Sequence, residues 1–212
     1  HNPVGRCWTQ NELLFLGEIW MKNKVLVISD EIHCDLVLPG YRHHPFALLD
    51  KEFSQNSITF HAASKTFNLA GLATSTAIIP NEELRKTYVA YVEDMEAHLG
   101  NIFGKVSTQA AMTYGDEWLE QLLDYVQGNI DYVSDFLPAN LPKVKFHKPQ
   151  ATYMMWLDFN GYGLSERELW QKMTQEAQLG FNRGRDFGEA GKGFFRINLA
   201  CPRSTVEEAM KI

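Results

Sequence analysis

Two strand-like runs that each lead to a chemically active side chain constrain the fold of this chain most strongly. Residues 25–29 (VLVIS) form a nearly continuous apolar run, which is typical of a buried parallel strand, and lead directly to Asp30. Residues 57–61 (SITFH) form a second strand candidate and precede Lys65. The spacing of 35 residues from Asp30 to Lys65 leaves room for one crossover. We therefore predict neighbouring strands in one sheet, with Asp30 and Lys65 at the same edge.

The rest of the pattern alternates strands with helices or loops, which predicts an α/β fold. Helical periodicity runs along residues 81–99 and again along residues 118–133. Capping-box patterns predict that helices begin at Thr9, Ser165 and Ser204. Further strand candidates cover residues 74–79, 152–159 and 194–200.

The pattern changes along the second half of the chain, where three prolines fall between positions 138 and 149. We predict that residues 1–125 belong to a large domain with a mostly parallel sheet, and that residues 126–212 form a smaller, truncated α+β domain. The chain opens without an initiator methionine, and its last residues resemble a helix that has barely begun. We therefore expect it to be a C-terminal fragment of a longer protein.

Composition excludes some classes of partner. The net charge of −6 gives no electrostatic reason to expect nucleic acid or an anionic membrane as a partner. No apolar run approaches the ~20 residues that a membrane helix needs. The three cysteines are widely spaced and include no C-x-x-C pair, which indicates reduced thiols in the cytoplasm. The pair His43 and His44 lacks a third ligand at a convincing spacing, so we expect no metal site.

The pairing of an acid with a lysine at adjacent strand ends indicates one cofactor, pyridoxal 5′-phosphate (PLP). A lysine can form a Schiff base with PLP, and an acid can keep its pyridine nitrogen protonated. Lys65 and Asp30 suit these two roles. Ser64 places a hydroxyl beside the lysine, and His33 could bond the phenolic oxygen of the cofactor.

Four motifs in order then resemble a known family. Together they are similar to the fold-type I, PLP-dependent aminotransferase superfamily (class I/II), and most similar to its C–S lyase branch, the MalY/PatB type of cystathionine β-lyase. The resemblance covers essentially the whole chain. The motifs are residues 1–6 (HNPVGR), 29–37 (SDEIHCDLV), 63–72 (ASKTFNLAGL) and 195–203 (FRINLACPR).

The resemblance implies roles for individual residues. Lys65 would carry PLP and act in catalysis, Asp30 would pair with the ring nitrogen, and Ser64 would contact the phosphate. Asn2 would bond the phenolic oxygen and lie near the substrate carboxylate, which Arg196 would clamp through its planar fork. The resemblance also implies a homodimer with a shared active site, an amino-acid substrate, and a PLP-binding large domain that contains residues 1–125.

Departures from the aminotransferase pattern favour the lyase branch. His33 stands where many aminotransferases have tyrosine, and Ala73 where many have a phosphate-binding arginine. Arg183 stands where transaminase-like chains usually have a proline, ahead of the turn at Phe187 and Gly188. Whether Arg183 or Arg185 contacts substrate stays open, and solvated loop charges are the favoured interpretation.

The resemblance leaves three functions to compare. The leading hypothesis is a β-lyase that cleaves cystathionine, cysteine or a related S-substituted cysteine to thiol, pyruvate and ammonia. The second is an aminotransferase that uses a 2-oxo acid; pyruvate release without an acceptor would separate the two. The third is an aminotransferase-like sensor domain of a transcription regulator, which a gel shift of the full-length protein would detect. For this chain alone we expect weak PLP binding.

Overall fold

A computed structural model describes residues 1–97 and 99–211 of this mixed α/β chain. The chain divides into two compact units. The first unit contains residues 1–7, residues 38–41 and the chain from Leu122 onward, and the second contains residues 8–37 and 42–121. The boundary between Gln121 and Leu122 falls inside a long helix. Within the described residues, no helix combines the length and the hydropathy that crossing a membrane requires.

The second unit opens with a helix whose start was predicted from its capping box. Thr9 accepts a hydrogen bond from the amide of Glu12, whose side chain bonds back to the Thr9 amide. Gly17 on this helix has no room for a side chain, because a Cβ there would lie 2.3 Å from the Phe53 ring. Phe53 stacks on Phe46 at 5.0 Å and completes a small core with Val27. The first elements of the unit are α1 (Gln10–Lys22), β1 (Val27–Asp30) and α2 (Lys51–Gln55).

A three-stranded sheet positions the candidate site residues of this unit. Its order is β1-β2-β3, where β2 is Ser57–His61 and β3 is Thr76–Ile78. Strands β1 and β2 are parallel neighbours, as predicted, and Asp30 lies opposite Phe60. Strand β3 runs antiparallel to β2, so this sheet has one parallel and one antiparallel pair.

The helices that follow differ from the predicted pattern in two places. Apolar periodicity predicted one helix along residues 81–99, but the helix ends at Asp94, since Glu96 adopts a left-handed conformation with φ 54°. The next helix was not predicted. Its one buried residue is Gly104, so no buried apolar stripe reveals it. These elements are α3 (Ala63–Thr66), α4 (Glu82–Asp94), α5 (Ile102–Tyr114) and α6 (Asp116–Asn140).

The first unit packs α6 against an antiparallel sheet of order β4-β5-β7-β6. The buried stripe on α6 includes Val126, Ile130 and Val133. Asn129 is also fully buried, and its amide nitrogen donates to the carbonyls of Leu199 and Cys201, at 2.8 and 3.0 Å. These strands are β4 (Lys145–Phe146), β5 (Met154–Asp158), β6 (Asn182–Arg183) and β7 (Phe194–Asn198).

Two helices complete the first unit. Helix α7 (Glu166–Gln171) begins at the predicted capping box of Ser165 and Glu168 and continues as a π-helical turn over Lys172–Glu176. Helix α8 (Arg203–Lys211) begins before the predicted cap. The prediction for Ser204 was wrong because the carbonyl oxygen of Pro202 already accepts the first helical hydrogen bonds, from the amides of Thr205 and Val206.

Candidate active site

The carboxyl ends of β1 and β2 bring Asp30 and Lys65 to one edge of the sheet of the second unit. Asp30 is the last residue of β1, and Lys65 lies on α3, which follows β2 after a single residue. Because β1 and β2 are parallel neighbours, both exits lie at the same edge. The short helix α3 begins after Ala62, which is extended and offers no side-chain cap.

Both side chains are exposed and available to a ligand. The Asp30 carboxylate accepts one hydrogen bond, from the Ile32 amide at 3.2 Å. Among the described residues, neither Asp30 nor Lys65 forms an ion pair, and the Ser64 hydroxyl has no hydrogen-bond partner. Ser64 and His33 are both half-buried.

Glu31, beside Asp30, is a structural anchor that the sequence did not reveal. Its buried carboxylate accepts hydrogen bonds from the Ser29 hydroxyl at 2.9 Å and from the Phe46 amide at 3.1 Å. Its other oxygen lies 2.8 Å from Nε2 of His43. Burial raises the pKa of Glu31, but these three partners together outweigh burial and hold the pKa below its usual value. Glu31 therefore fixes the start of the turn that follows Asp30.

A second carboxylate, Asp35, lies in the same turn region. Its Oδ2 accepts a hydrogen bond from Thr66 at 2.9 Å and lies 3.4 Å from Nε2 of His61, and its Oδ1 accepts the thiol hydrogen of Cys34 at 3.4 Å. Burial, together with the neighbouring Asp35 charge, raises the pKa of the Cys34 thiol to about 12. The donor atoms of Cys34, Asp35 and His61 lie within 4.8 Å of one another. The hydrogen bonds of Asp35 account for that proximity.

In the first unit, Arg196 projects from β7 between two amide side chains. Its Nη1 donates to Oδ1 of Asn2 at 2.6 Å, and its Nη2 donates to Oδ1 of Asn182 on β6 at 2.9 Å. The guanidinium also lies over the Phe187 ring, 4.6 Å from its centroid. No carboxylate in the described part of the chain pairs with Arg196, so two neutral amides leave its positive charge available to an anion.

Local packing brings Asn2 to this position. The Asn2–Pro3 peptide is cis, and the Gly5 carbonyl accepts hydrogen bonds from the amides of Gln150 and Ala151. Gly5 has φ 75°, and a Cβ there would lie 3.0 Å from the Met154 carbonyl oxygen. A residue with a side chain would therefore hold residues 1–5 away from the start of β5.

The two loop arginines have acidic partners. Arg183 pairs with Asp186 at 3.3 Å and lies over the Trp170 ring. Arg185 contacts Glu166 at 2.9 Å and Glu189 at 3.6 Å. Both side chains are partly exposed, and the interpretation of both as solvated loop charges stays a prediction.

The structure groups the predicted residues by unit. Asp30, His33, Ser64 and Lys65 lie in the second unit, and Asn2 and Arg196 are hydrogen-bonded in the first. No role was predicted from the sequence for three residues whose hydrogen bonds support the candidate site residues: Glu31, Asp35 and Asn182. The signal for Glu31 and Asp35 was their charge within the apolar segment at residues 25–38, whereas no local pattern marked Asn182.

Comparisons with known proteins show the family to which this chain belongs. Residues 1–212 match the family model for aminotransferase class I and II. Cystathionine beta-lyase PatB of Bacillus subtilis (strain 168) is 41% identical over the whole chain, which covers 54% of that protein. The crystal structure of cystalysin from Treponema denticola, which contains a PLP cofactor, has a TM-score of 0.94 and 35% identity and is 54% covered.

One further solved structure has a different description. A PLP-bound protein from Clostridium difficile 630, described provisionally as an aminotransferase, has a TM-score of 0.98 and 44% identity; the match covers all of this chain and 55% of that protein. The present chain therefore spans about half the length of the relatives that it matches.

Proposed function

Because this chain belongs to the aminotransferase class I and II family, we propose that the full-length protein is a PLP-dependent C–S β-lyase. It cleaves cystathionine, cysteine or a related S-substituted cysteine to a thiol, pyruvate and ammonia. The observation that carries this proposal is the exit of two parallel neighbouring strands toward an exposed acid and an exposed lysine at one sheet edge. The similarity to a cystathionine beta-lyase supports the choice of reaction.

The donor set of the second unit fits PLP. Asp30 has no basic partner among the residues that the structure describes, so its charge can pair with a protonated pyridine nitrogen. Lys65 is equally free to bond the cofactor carbon, the Ser64 hydroxyl is available to the phosphate, and His33 can contact the phenolic oxygen. For Asn2, the contact with that oxygen is a role that the family resemblance implies. When bound, PLP supplies an electron sink for the carbanion that forms at the substrate Cα.

The chain's own residues then move the proton and orient the substrate. Once free of its bond to the cofactor, the Nζ of Lys65 would accept the proton from the substrate Cα, and the sulfur would leave Cβ as a thiolate. Hydrolysis of the remaining three-carbon fragment by water would give pyruvate and ammonia. Arg196 binds the α-carboxylate and fixes the substrate orientation. Its existing bonds to Asn2 and Asn182 hold the guanidinium fork in place before substrate arrives.

An aminotransferase is the second candidate, and one observation favours it: the provisional description of the Clostridium difficile relative. The same residues would serve both reactions. We prefer the lyase because PatB, the curated relative at 41% identity, is a cystathionine beta-lyase. We further propose a homodimer with a shared active site, which the family resemblance supports, and a cytoplasmic location, which the three free cysteines support.

An absorbance spectrum of the full-length protein with PLP, followed by addition of L-cystathionine, tests the proposal. We expect a cofactor band that Lys65→Ala removes and that Lys51→Ala, a change at an exposed lysine of the same unit, leaves intact. Pyruvate should appear without a 2-oxo acid acceptor. A band without pyruvate would favour the aminotransferase, and a spectrum without a band would overturn both candidates.

A further inference from the structure

Asp35 connects the two chain segments that carry the candidate cofactor ligands of the second unit. It lies in the turn region that follows β1, five residues after Asp30. Its Oδ2 accepts the hydroxyl hydrogen of Thr66, a residue that is completely buried. The same oxygen lies 3.4 Å from Nε2 of His61, the last residue of β2.

These two partners bracket the segment that contains Lys65. His61 precedes α3, and Thr66 is the last residue of α3 and the direct neighbour of Lys65. One carboxylate therefore contacts both ends of residues 61–66. Asp35 thereby ties this segment to the turn region that begins at Asp30.

Helix α3 needs such a contact because it has little stability of its own. It contains four residues, far fewer than an isolated helix requires, and its N-cap residue Ala62 forms no side-chain hydrogen bond. Its orientation must come from tertiary contacts. Among the described residues, the bond from the Thr66 hydroxyl to Asp35 is the one side-chain hydrogen bond that this helix forms.

We propose that Asp35 is a positioning residue, which acts through Thr66 and His61 to hold Lys65 in register with Asp30. The proposal rests on the proposed function, because it concerns the placement of the lysine that would carry PLP. Small displacements of a reacting group lower the rate strongly, and residues that support it through hydrogen bonds prevent them. Loss of this support should lower kcat and leave the binding of the substrate carboxylate at Arg196 unchanged.

The test compares two substitutions of Thr66 in the full-length holoenzyme. Thr66→Val removes the hydroxyl at nearly constant volume, whereas Thr66→Ser keeps it. We expect Thr66→Val to lower kcat about 10- to 100-fold with KM changed less than about threefold, and to shift the pH at which the cofactor band changes. Thr66→Ser should restore wild-type values. Asp35→Ala also removes the contact with His61, so it should lower kcat at least as much as Thr66→Val. The double variant should be no worse than Asp35→Ala alone, as expected if the Thr66 hydroxyl acts through Asp35.

Hydrogen exchange of the protein without PLP gives a readout that needs no activity. Amides of residues 63–67 should exchange faster in Thr66→Val and Asp35→Ala but not in Thr66→Ser. Unchanged exchange in both variants, or faster exchange with an unchanged kcat and pH profile, would overturn the role of Asp35. A wild-type protein without any cofactor band would instead overturn the proposed function, and the exchange data would still decide whether Asp35 holds α3.

Discussion

Glu31 and Asp35 are carboxylates four residues apart with different tasks. Glu31 is buried and satisfied by Ser29, Phe46 and His43. Asp35 is 30% exposed and holds the segment with Lys65. His33 lies between them in the sequence, so the hydrogen bonds of Glu31 and Asp35 together restrict the segment that would face the cofactor.

We expect Glu31→Gln to lower the free energy of unfolding of the full-length protein at neutral pH by about 1–2 kcal/mol, because a buried charged acceptor becomes a neutral amide. The folded-state pKa of Glu31 lies below its ordinary value of 4.5. Its stabilising contribution is therefore complete above that pH and is lost as the pH falls through the folded-state pKa. Urea unfolding at several pH values should thus show a shallower loss of stability below pH 4.5 in the variant.

Glu52→Gln is the matched control for Glu31→Gln, since Glu52 is an exposed acid of the same unit. Its stability curve should follow that of the wild type. Parallel pH curves for Glu31→Gln and the wild type would contradict the assignment of the buried carboxylate as ionised.

The fork of Arg196 gives a prediction about substrate affinity. Arg196→Lys keeps the charge but cannot donate to Asn2, Asn182 and a carboxylate in the same plane. We expect KM for L-cystathionine to rise about 10- to 100-fold, which corresponds to the loss of one charge-assisted hydrogen bond. Arg183→Lys, a change at an arginine already paired with Asp186, should leave KM unchanged. Equal KM values for the two variants would show that Arg196 does not bind the carboxylate.

The sequence predicts roles for Lys65 and Asp30 but none for Glu31 and Asp35, although these two also lie within a motif that carries the resemblance. Lys65 and Asp30 follow predicted strands, so their placement at one sheet edge could be foreseen. Glu31 is hydrogen-bonded to His43, which lies 12 residues away in the sequence, and Asp35 is hydrogen-bonded to Thr66, which lies 31 residues away. Such long-range hydrogen bonds leave no periodic signal, and only the folded chain reveals them.

Among the secondary-structure elements, those with a local chemical signal were predicted best. The caps at Thr9 and Ser165 and the strand Ser57–His61 agree with the structure. The unpredicted helix α5 exposes large apolar side chains such as Phe103, at 72% exposure, instead of burying a stripe. The direction of β3 depends on its pairing with β2, which its own three residues do not encode.

Helix α6 is fastened to the end of β7 by one buried side chain, Asn129. Its amide group donates to two carbonyls, of Leu199 and Cys201, and its oxygen accepts from Nε of Arg203 at 2.7 Å. All of its hydrogen-bonding groups are therefore occupied in a site without exposure to water.

We expect Asn129→Ala to lower the free energy of unfolding by about 2–4 kcal/mol, because it leaves buried carbonyls unpaired and removes packing. Asn140→Ala changes an exposed asparagine on the same helix, whose side chain, among the residues that the structure describes, bonds only the Phe136 carbonyl; it should cost less than about 1 kcal/mol. Urea unfolding of the full-length proteins measures both. If the two variants are equally stable, Asn129 does not fasten the helix.

At the scale of the whole molecule, the chain contains the lysine and the acid that PLP chemistry requires, but few residues that could bind the phosphate of the cofactor. It spans about half the length of its PLP-containing relatives. Of the residues assigned to PLP, only Ser64 is a candidate for the phosphate, and Ala73 stands where many aminotransferases have an arginine. Lys65 and Asp30 are exposed, so water competes for both groups.

We therefore expect the 212-residue chain alone to bind PLP far more weakly than the full-length protein, with a Kd above the micromolar range. A Schiff base and one ion pair, both open to water, cannot replace a set of phosphate ligands in a closed site. Fluorescence titration of both proteins with PLP measures the difference. Lys65→Ala in each separates binding at this site from adducts with surface lysines. Micromolar affinity of the isolated chain that depends on Lys65 would instead mean that these few residues suffice to hold the cofactor.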